Sequence, residues 1–208
     1  MLRIGVLAIQ GDFAAHARAI ERIGANAIEV RRASDLASLD GLIIPGGETT
    51  TMLKFIESEA IDASIGDFAR SGKPIFGTCA GAILLAREVY NPAQRSLGLI
   101  DIGLERNAYG RQVDSFIATV ETTMEGGPLE AVFIRAPRIR RIGAGVKVIS
   151  SLNDEAVLVR DGNILAATFH PELTEDLRIH WLFAEMINTF DVERSRRHLR
   201  ILLHTKRT

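Results

Sequence analysis

The chain holds one cysteine, Cys79, inside Gly77-Thr78-Cys79-Ala80-Gly81. The form G-x-C-x-G is the thiol counterpart of the G-x-S-x-G nucleophile elbow. A nucleophile on a sharp strand-to-helix turn sits in strained backbone. Side chains two positions away would collide with neighbouring main chain, so glycine is favoured at both. The helix N-terminus that follows favours thiolate. The Ala80 N–H would form half of an oxyanion hole. A lone free cysteine is also commonly a small buried hydrophobe, and the motif by itself leaves both readings open.

A thiol nucleophile needs a base, and the base needs an orienting group. Of five histidines, only His170 closes an apolar strand-like run, in "ILAATFHPEL". Pro171 pushes His170 toward extended backbone, where residues i and i+2 project to one side. Glu172 can then reach the imidazole, fix its tautomer and stabilise the imidazolium. His16 falls in the first helix and reads as a packing or helix-surface residue, with a place near the site as the alternative. His180, His198 and His204 show no partner pattern. No histidine pair has metal-ligand spacing with another strong ligand, so no metal is expected.

"GLIIPGGETTTM" is a second glycine-rich strand end. Pro45-Gly46-Gly47 allows a sharp turn, and its N–H groups could face developing negative charge. Neither G-x-x-x-x-G-K-[ST] nor G-x-G-x-x-G occurs here, which disfavours a nucleotide site. A plain turn without chemistry fits these residues as well.

The elements that must position these groups follow from apolar runs and turn residues. "RIGVLAIQG", "AIEV", "GLIIP" and "KPIFG" read as strands, the continuous apolar ones buried on both faces as in a parallel sheet. Asp12 is placed to cap a helix carrying Phe13, Ala17, Ile20 and Ile23, with Gly24 as its stop. "TTTMLKFIES" and "IDASIGDFARSG" read as helices, and a further helix starts near Ala80. From about Leu97 to Val159 strand-like pieces follow one another without clear helices, suggesting antiparallel additions. Asp161-Gly162 marks a hairpin turn. A last helix is predicted over Asp176–Phe190, with Leu182, Phe183, Met186, Ile187 and Phe190 on one stripe. The basic end, residues 191–208, reads as a solvated terminus, with a frayed helix or a docking element as alternatives. Strand–helix alternation predicts an α/β fold with a mostly parallel sheet, in one domain over 1–190 followed by the tail.

Composition narrows the classes. Charged residues make up 25% and hydrophobic ones 47%, with a formal net charge of −1. No global field points to nucleic acid or to an anionic membrane. One cysteine excludes an intrachain disulfide framework. No run reaches the ~18 apolar residues of a membrane span, and the N-terminal run is too interrupted for a signal core. A cytoplasmic protein is expected.

The P-G-G loop, the G-x-C-x-G elbow and the late H-P-E, in that order, resemble the class I, triad-type glutamine amidotransferases. "GVLAIQGDFAAH", "LIIPGGETTTM", "IFGTCAGAILLA", "LGLIDIGLERNAYGRQVDSF", "VFIRAPRI" and "AATFHPEL" are similar to the glutaminase subunits of pyridoxal 5'-phosphate synthase complexes. The resemblance implies a flavodoxin-like three-layer sandwich. It implies hydrolysis of L-glutamine to glutamate and ammonia, without a cofactor, and delivery of the ammonia to a barrel-shaped synthase subunit in a hetero-oligomeric complex. It implies Cys79, His170 and Glu172 as the triad and the N–H groups of Gly47 and Ala80 as the oxyanion hole. Gly47, Glu48, Thr49, Arg106, Ile134 and Arg135 match its glutamine-binding positions. An arginine can clamp an α-carboxylate, which gives Arg106 and Arg135 a local rationale. Two departures stand out: Thr49 replaces a common serine and keeps the hydroxyl, and Ala15 precedes His16 where an acidic residue is frequent. A glutaminase for another acceptor and a non-catalytic relative of the same fold are the competing readings.

Overall fold

Alternation in four short strands explains where the sheet lies. β1 (Arg3–Leu7), β3 (Gly41–Ile44), β4 (Ile75–Thr78) and β12 (Ile164–Ala167) are buried almost throughout. Val6, Ile43, Phe76 and Leu165 are register partners across them and belong to the core beneath one face. Leu42, Ile75 and Ile164 face the other core. Apolar side chains on both faces make the continuous runs seen in the sequence. Each such side chain, fully buried, contributes about 1.5–3 kcal/mol.

The structure is a computed structural model describing residues 1–106 and 115–205, of which 197–205 are described as helical backbone only. A nine-stranded sheet has the order β2-β1-β3-β4-β12-β11-β10-β7-β8. The other strands in it are β2 (Asn26–Val30), β7 (Ser115–Thr122), β8 (Leu129–Ile134), β10 (Lys147–Leu152) and β11 (Glu155–Asp161). The five strands from β2 to β12 pair in parallel. From β12 through β11, β10 and β7 to β8 every pairing is antiparallel. The order 2-1-3-4 followed by one more parallel strand is the flavodoxin-like pattern. Its fifth place is taken by a strand from almost ninety residues further along the chain.

Helices α1 (Phe13–Arg22) and α5 (Arg178–Thr205) cover one face, through Ile20, Ile179, Phe183 and Ile187. Helices α2 (Thr49–Ser58), α3 (Ile61–Arg70) and the short α4 (Ala80–Leu85) cover the other. A small sheet of β5 (Ala86–Tyr90), β6 (Ile100–Glu105) and β9 (Arg138–Ile142) packs on that second face. Among the described residues no helix is long and apolar enough to cross a membrane.

Two local expectations are corrected, and one strand that was not expected appears. Asp12 occupies the N-cap position of α1 but makes no side-chain capping bond. The helix after Cys79 stops at Leu85, and "AREVY" forms β5 beside a strand ten residues on. The last helix begins at Arg178, whose N–H donates to the Asp176 carboxylate at 3.0 Å. Its guanidinium also donates to the carbonyls of Glu125, Gly127 and Pro128, tying the helix start to the β7–β8 turn. The helix then continues past Phe190 to Thr205. The apolar stripe lapses after Phe190, where residues 192–196 are exposed, and no glycine or proline stops the backbone.

The elbow glycines answer to space. A Cβ on Gly81 would run into the carbonyl oxygen of Ile44, and one on Gly77 would lie 2.7 Å from the backbone of Gly81. Gly24 differs, with φ +78° but nothing within 4 Å of a Cβ. Gly24→Ala should therefore cost only the left-handed backbone penalty of ~1–2 kcal/mol. Gly81→Ala presses on main chain and should cost at least about twice that, as a larger fall in the urea unfolding midpoint. Equal midpoints for the two variants would mean that the elbow yields freely.

Candidate active site

The loops that follow β1, β3, β4, β6, β8 and β12 meet around a cavity of about 270 Å³. It is lined by Gly11, Asp12, Gly47, Glu48, Thr49, Cys79, Ala80, Ile83, Arg106, Ile134, Arg135 and His170. This lies just below the ~300–1,000 Å³ of drug-sized ligand sites and suits a small metabolite. Open α/β sheets bind ligands outside the carboxyl ends of their strands. Every site residue expected from the sequence lines this cavity except Glu172, which stands behind His170. The segment 107–114, part of one quoted family motif, lies outside the described residues.

Cys79 adopts φ 48°, ψ −104°, left-handed backbone that a non-glycine residue adopts only under constraint. The constraint is visible. Its N–H donates to the Ala167 carbonyl of β12 at 2.8 Å, and its carbonyl accepts from the Ile83 N–H at 3.2 Å. The residue is 8% exposed, with Sγ 3.8 Å from the Ile134 carbonyl oxygen. Ile134 ends β8, and Arg135, also at positive φ (44°), turns the chain past the cavity.

His170 Nδ1 lies 2.8 Å from Glu172 Oε1. A carboxylate only accepts, so Nδ1 carries the proton and Nε2 is left for the thiol. Burial pushes the His170 pKa down, but hydrogen bonds and charge from Cys79 and Glu172 outweigh it and raise the value to about 10. Gly46 makes room for this ring: a Cβ there would collide with His170 Cε1. Burial pushes Glu172 up, yet His16 and His170 hold it below the usual carboxylate value.

Near the second oxygen of Glu172 the structure decides between the readings of His16. His16 is fully buried, not on the helix surface. Its Nε2 lies 3.2 Å from Glu172 Oε2 and 3.1 Å from Thr78 Oγ1, the residue before the nucleophile candidate. His16 Nδ1 lies 3.1 Å from Nε2 of His180, a residue without any partner pattern in the sequence. A bare nitrogen would be repelled by the carboxylate oxygen beside it, so Nε2 of His16 bears the proton; its hydrogen bond goes to Thr78 Oγ1, and Glu172 Oε2 has no hydrogen-bond partner among the described residues. Nδ1 is then bare, and His180 Nε2–H donates to it. The remaining nitrogen, His180 Nδ1, is buried without a hydrogen-bond partner among the described residues. Phe76 lies edge-on to both rings. Burial lowers both pKa values, that of His180 to about 3. His16 thus stands beside Glu172 as a neutral ring, close to it but hydrogen-bonded to Thr78. The signal that could have found it is the placement of His16 one turn into the helix after β1, whose carboxyl end borders the site.

Of the glutamine-binding positions, Glu48 directs its carboxylate to the N–H groups of Thr50 and Thr51, capping α2. Hydrogen bonds from Thr51 and Thr50 hold its pKa at about 2 against a smaller contribution from burial. Its carbonyl accepts from Gln10 Nε2 at 2.7 Å. Thr49 donates its hydroxyl proton to Gln94 Oε1 at 3.0 Å, and Arg106 Nη1 donates to the same oxygen at 2.6 Å. Gln94 carried no signal in the sequence. Asp12, His170 and Glu172 offer ligand atoms within 4.8 Å of one another. Two of the three already share a hydrogen bond, so the group reads as an oriented histidine beside an exposed carboxylate.

Residues 6–189 match the model of the SNO glutamine amidotransferase family. The chain is 55% identical over 189 residues to the pyridoxal 5'-phosphate synthase subunit PdxT of Solibacter usitatus, covering 88% of this chain and 98% of that protein. It is 47% identical over 187 residues to PdxT of Thermotoga maritima, covering 89% of this chain and 100% of that one. A crystal structure of a glutamine amidotransferase superposes with a TM-score of 0.84 at 48% identity, over 89% of this chain and 98% of its own. PurLQS from Thermotoga maritima, with a TM-score of 0.64 at 19% identity over 85% of this chain and 91% of its own, shares the fold alone.

The buried histidines give the site a pH signature. His180 is neutral in the folded chain down to about pH 3, whereas unfolded it would protonate near 6.5. The unfolded state therefore binds more protons between these values, and stability falls as pH drops from 6.5. Each such histidine contributes a slope of up to about 1.4 kcal/mol per pH unit. His170 has the opposite sign and a separate window, losing its contribution as pH rises from 6.5 toward 10. In urea unfolding between pH 5 and 6.5, His180→Gln should cut the slope of stability against pH by about half. An unchanged slope would show that His180 is not held neutral.

Proposed function

The chain belongs to the SNO glutamine amidotransferase family, and from that premise we propose that it is the glutaminase subunit of a pyridoxal 5'-phosphate synthase. It hydrolyses L-glutamine to glutamate and ammonia and hands the ammonia to a barrel-shaped synthase partner. The observation that carries this reading is a histidine, hydrogen-bonded to a buried glutamate, sharing a cavity with a cysteine on a strained strand-to-helix turn. The names of the PdxT relatives supply the pathway.

In the proposed cycle Cys79, His170 and Glu172 act as the triad. The Cys79 sulfur, its proton taken by His170 Nε2, attacks the side-chain amide carbon of glutamine. The N–H groups of Ala80 and Gly47 hold the oxyanion, and one such donor is commonly worth about 10²–10³ in rate. His170 returns the proton to the leaving nitrogen, and ammonia departs. Water then attacks the γ-glutamyl thioester, its proton passing to His170, and glutamate leaves with the thiol restored. Glu172 keeps Nδ1 protonated and stabilises the imidazolium throughout.

Gly47, Glu48, Thr49, Arg106, Ile134 and Arg135 surround the bound amino acid. Glu48 contributes through its backbone, because its carboxylate caps α2. Arg106 takes the α-carboxylate. We further propose that residues 1–190 form the amidotransferase domain, that 191–208 is an appended basic segment, and that the complex works in the cytoplasm without a metal or cofactor in this subunit.

The test assays the chain together with its synthase partner. Cys79→Ala should abolish glutamate formation from glutamine, while added ammonium salt still supports pyridoxal 5'-phosphate formation. Glu172→Gln should lower kcat on the order of 10²- to 10⁴-fold. Glutamate release by Cys79→Ala at the wild-type rate would remove the nucleophile assignment.

A further inference from the structure

Gln94 sits in the loop between β5 and β6, outside the cavity lining. Its side-chain oxygen receives two donors from the wall: Arg106 Nη1 at 2.6 Å and Thr49 Oγ1 at 3.0 Å. The identity of that atom is settled by its partner. A guanidinium can only donate, so the amide must present oxygen to it. The amide nitrogen is buried and has no hydrogen-bond partner among the described residues.

The chemistry of the pairing is unusual for its surroundings. Arg95, one residue further along the same loop, pairs with Glu57 and Asp62. Arg87 and Arg141 pair with Asp101, and Arg140 with Glu105 and Glu155. Arg106 is in no ion pair among the described residues. Where its neighbours meet carboxylates, it meets a neutral carbonyl. That contact fixes the direction of the guanidinium at little cost to its charge. An acid in the same place would orient it equally well and also neutralise it.

We propose that Gln94 is a positioning and specificity residue for glutamine: it holds Arg106 and Thr49 in the cavity wall while leaving the Arg106 charge uncompensated for the substrate's α-carboxylate. This rests on the reading of Arg106 given above. With its proton directed to Gln94, Thr49 keeps acceptor capacity only, which suits an α-ammonium. The neutral amide thus tunes both groups toward a zwitterion, and the cavity favours a free amino acid over a simple amide.

Glutaminase kinetics of the complex with the synthase partner test this, using Gln94→Glu, Gln94→Ala and Arg106→Ala. Glutamine and 4-aminobutanamide, which lacks the α-carboxylate, serve as substrates. Gln94→Glu preserves shape and hydrogen bonds, so a purely structural role predicts the mildest effect for it. The proposal predicts the reverse order. Gln94→Glu should raise KM for glutamine about tenfold or more, with a much smaller change in kcat, and Gln94→Ala should raise KM a few-fold. Preference for glutamine over 4-aminobutanamide should fall about tenfold in Gln94→Glu. If Arg106→Ala raises KM but Gln94→Glu leaves it at or below the Gln94→Ala value, the proposal is overturned while the reading of Arg106 stands. If Arg106→Ala leaves KM and preference unchanged, that reading fails and takes the proposal with it.

Discussion

Parallel pairing of β4 with β12 in one register holds the site together. Thr78 lies opposite Ala167, so the first residue beyond one strand and the third beyond the other come to the same sheet edge. Cys79 and His170 are those residues. The Cys79 N–H is bonded to the Ala167 carbonyl, which makes the strained elbow an extension of the ladder. A slip of one residue would turn every side chain of β12 to the opposite core. Leu165 and Ile164, buried against different helical layers, forbid that slip. The relative position of sulfur and imidazole is thus guarded by hydrophobic packing many ångströms from either.

Burial then decides how charge is distributed behind the imidazole. A dry carboxylate is costly unless it is paired and hydrogen-bonded. Glu172 is hydrogen-bonded to His170 through one oxygen; the other lies 3.2 Å from His16 Nε2 without a hydrogen bond among the described residues. A second full charge at His16 would compete with the imidazolium that forms at His170. Burial removes that competitor by keeping His16 and His180 neutral. The result is one polarised direction, from carboxylate toward thiol, backed by rings that supply dipoles only.

These facts explain what could be read from the chain. Gly77 and Pro171 act through local sterics, while Gly46 and Gly81 answer to His170 and Ile44 far along the chain; all four leave marks in sequence because only their residue types fit. Cys79, His170 and Glu172 are therefore legible as a group of types and spacings, and the alternation of apolar runs makes the parallel half of the sheet legible with them. His16, His180 and Gln94 act through contacts spanning 164 and 45 residues. No spacing encodes such pairs, and a buried histidine on an amphipathic helix looks like any packed residue. β5 was hidden for a related reason: its partner β6 and the core beneath it, not its own alternation, make "AREVY" a strand. The length of the last helix was hidden because its apolar period lapses after Phe190, where the exposed residues 192–196 offer no stripe to extend it.

The route of the chain also separates the two tasks of the site. The groups proposed for bond-making stand at the ends of parallel strands of the doubly wound half. Those proposed to recognise the amino acid include Arg106 after β6 and Ile134–Arg135 after β8, both on the excursion that interrupts the parallel order between β4 and β12. Geometry for acyl transfer tolerates displacements well below an ångström, and a sheet buried on both faces supplies that rigidity. Recognition of a substrate's far end is set by which side chains line a wall, and the connecting loops of the excursion can change those without disturbing the parallel ladder. Gln94 belongs to the same excursion. Its effect reaches the substrate through the charge left on Arg106, so the excursion can adjust affinity while the register of β4 and β12 leaves the reacting atoms where they are.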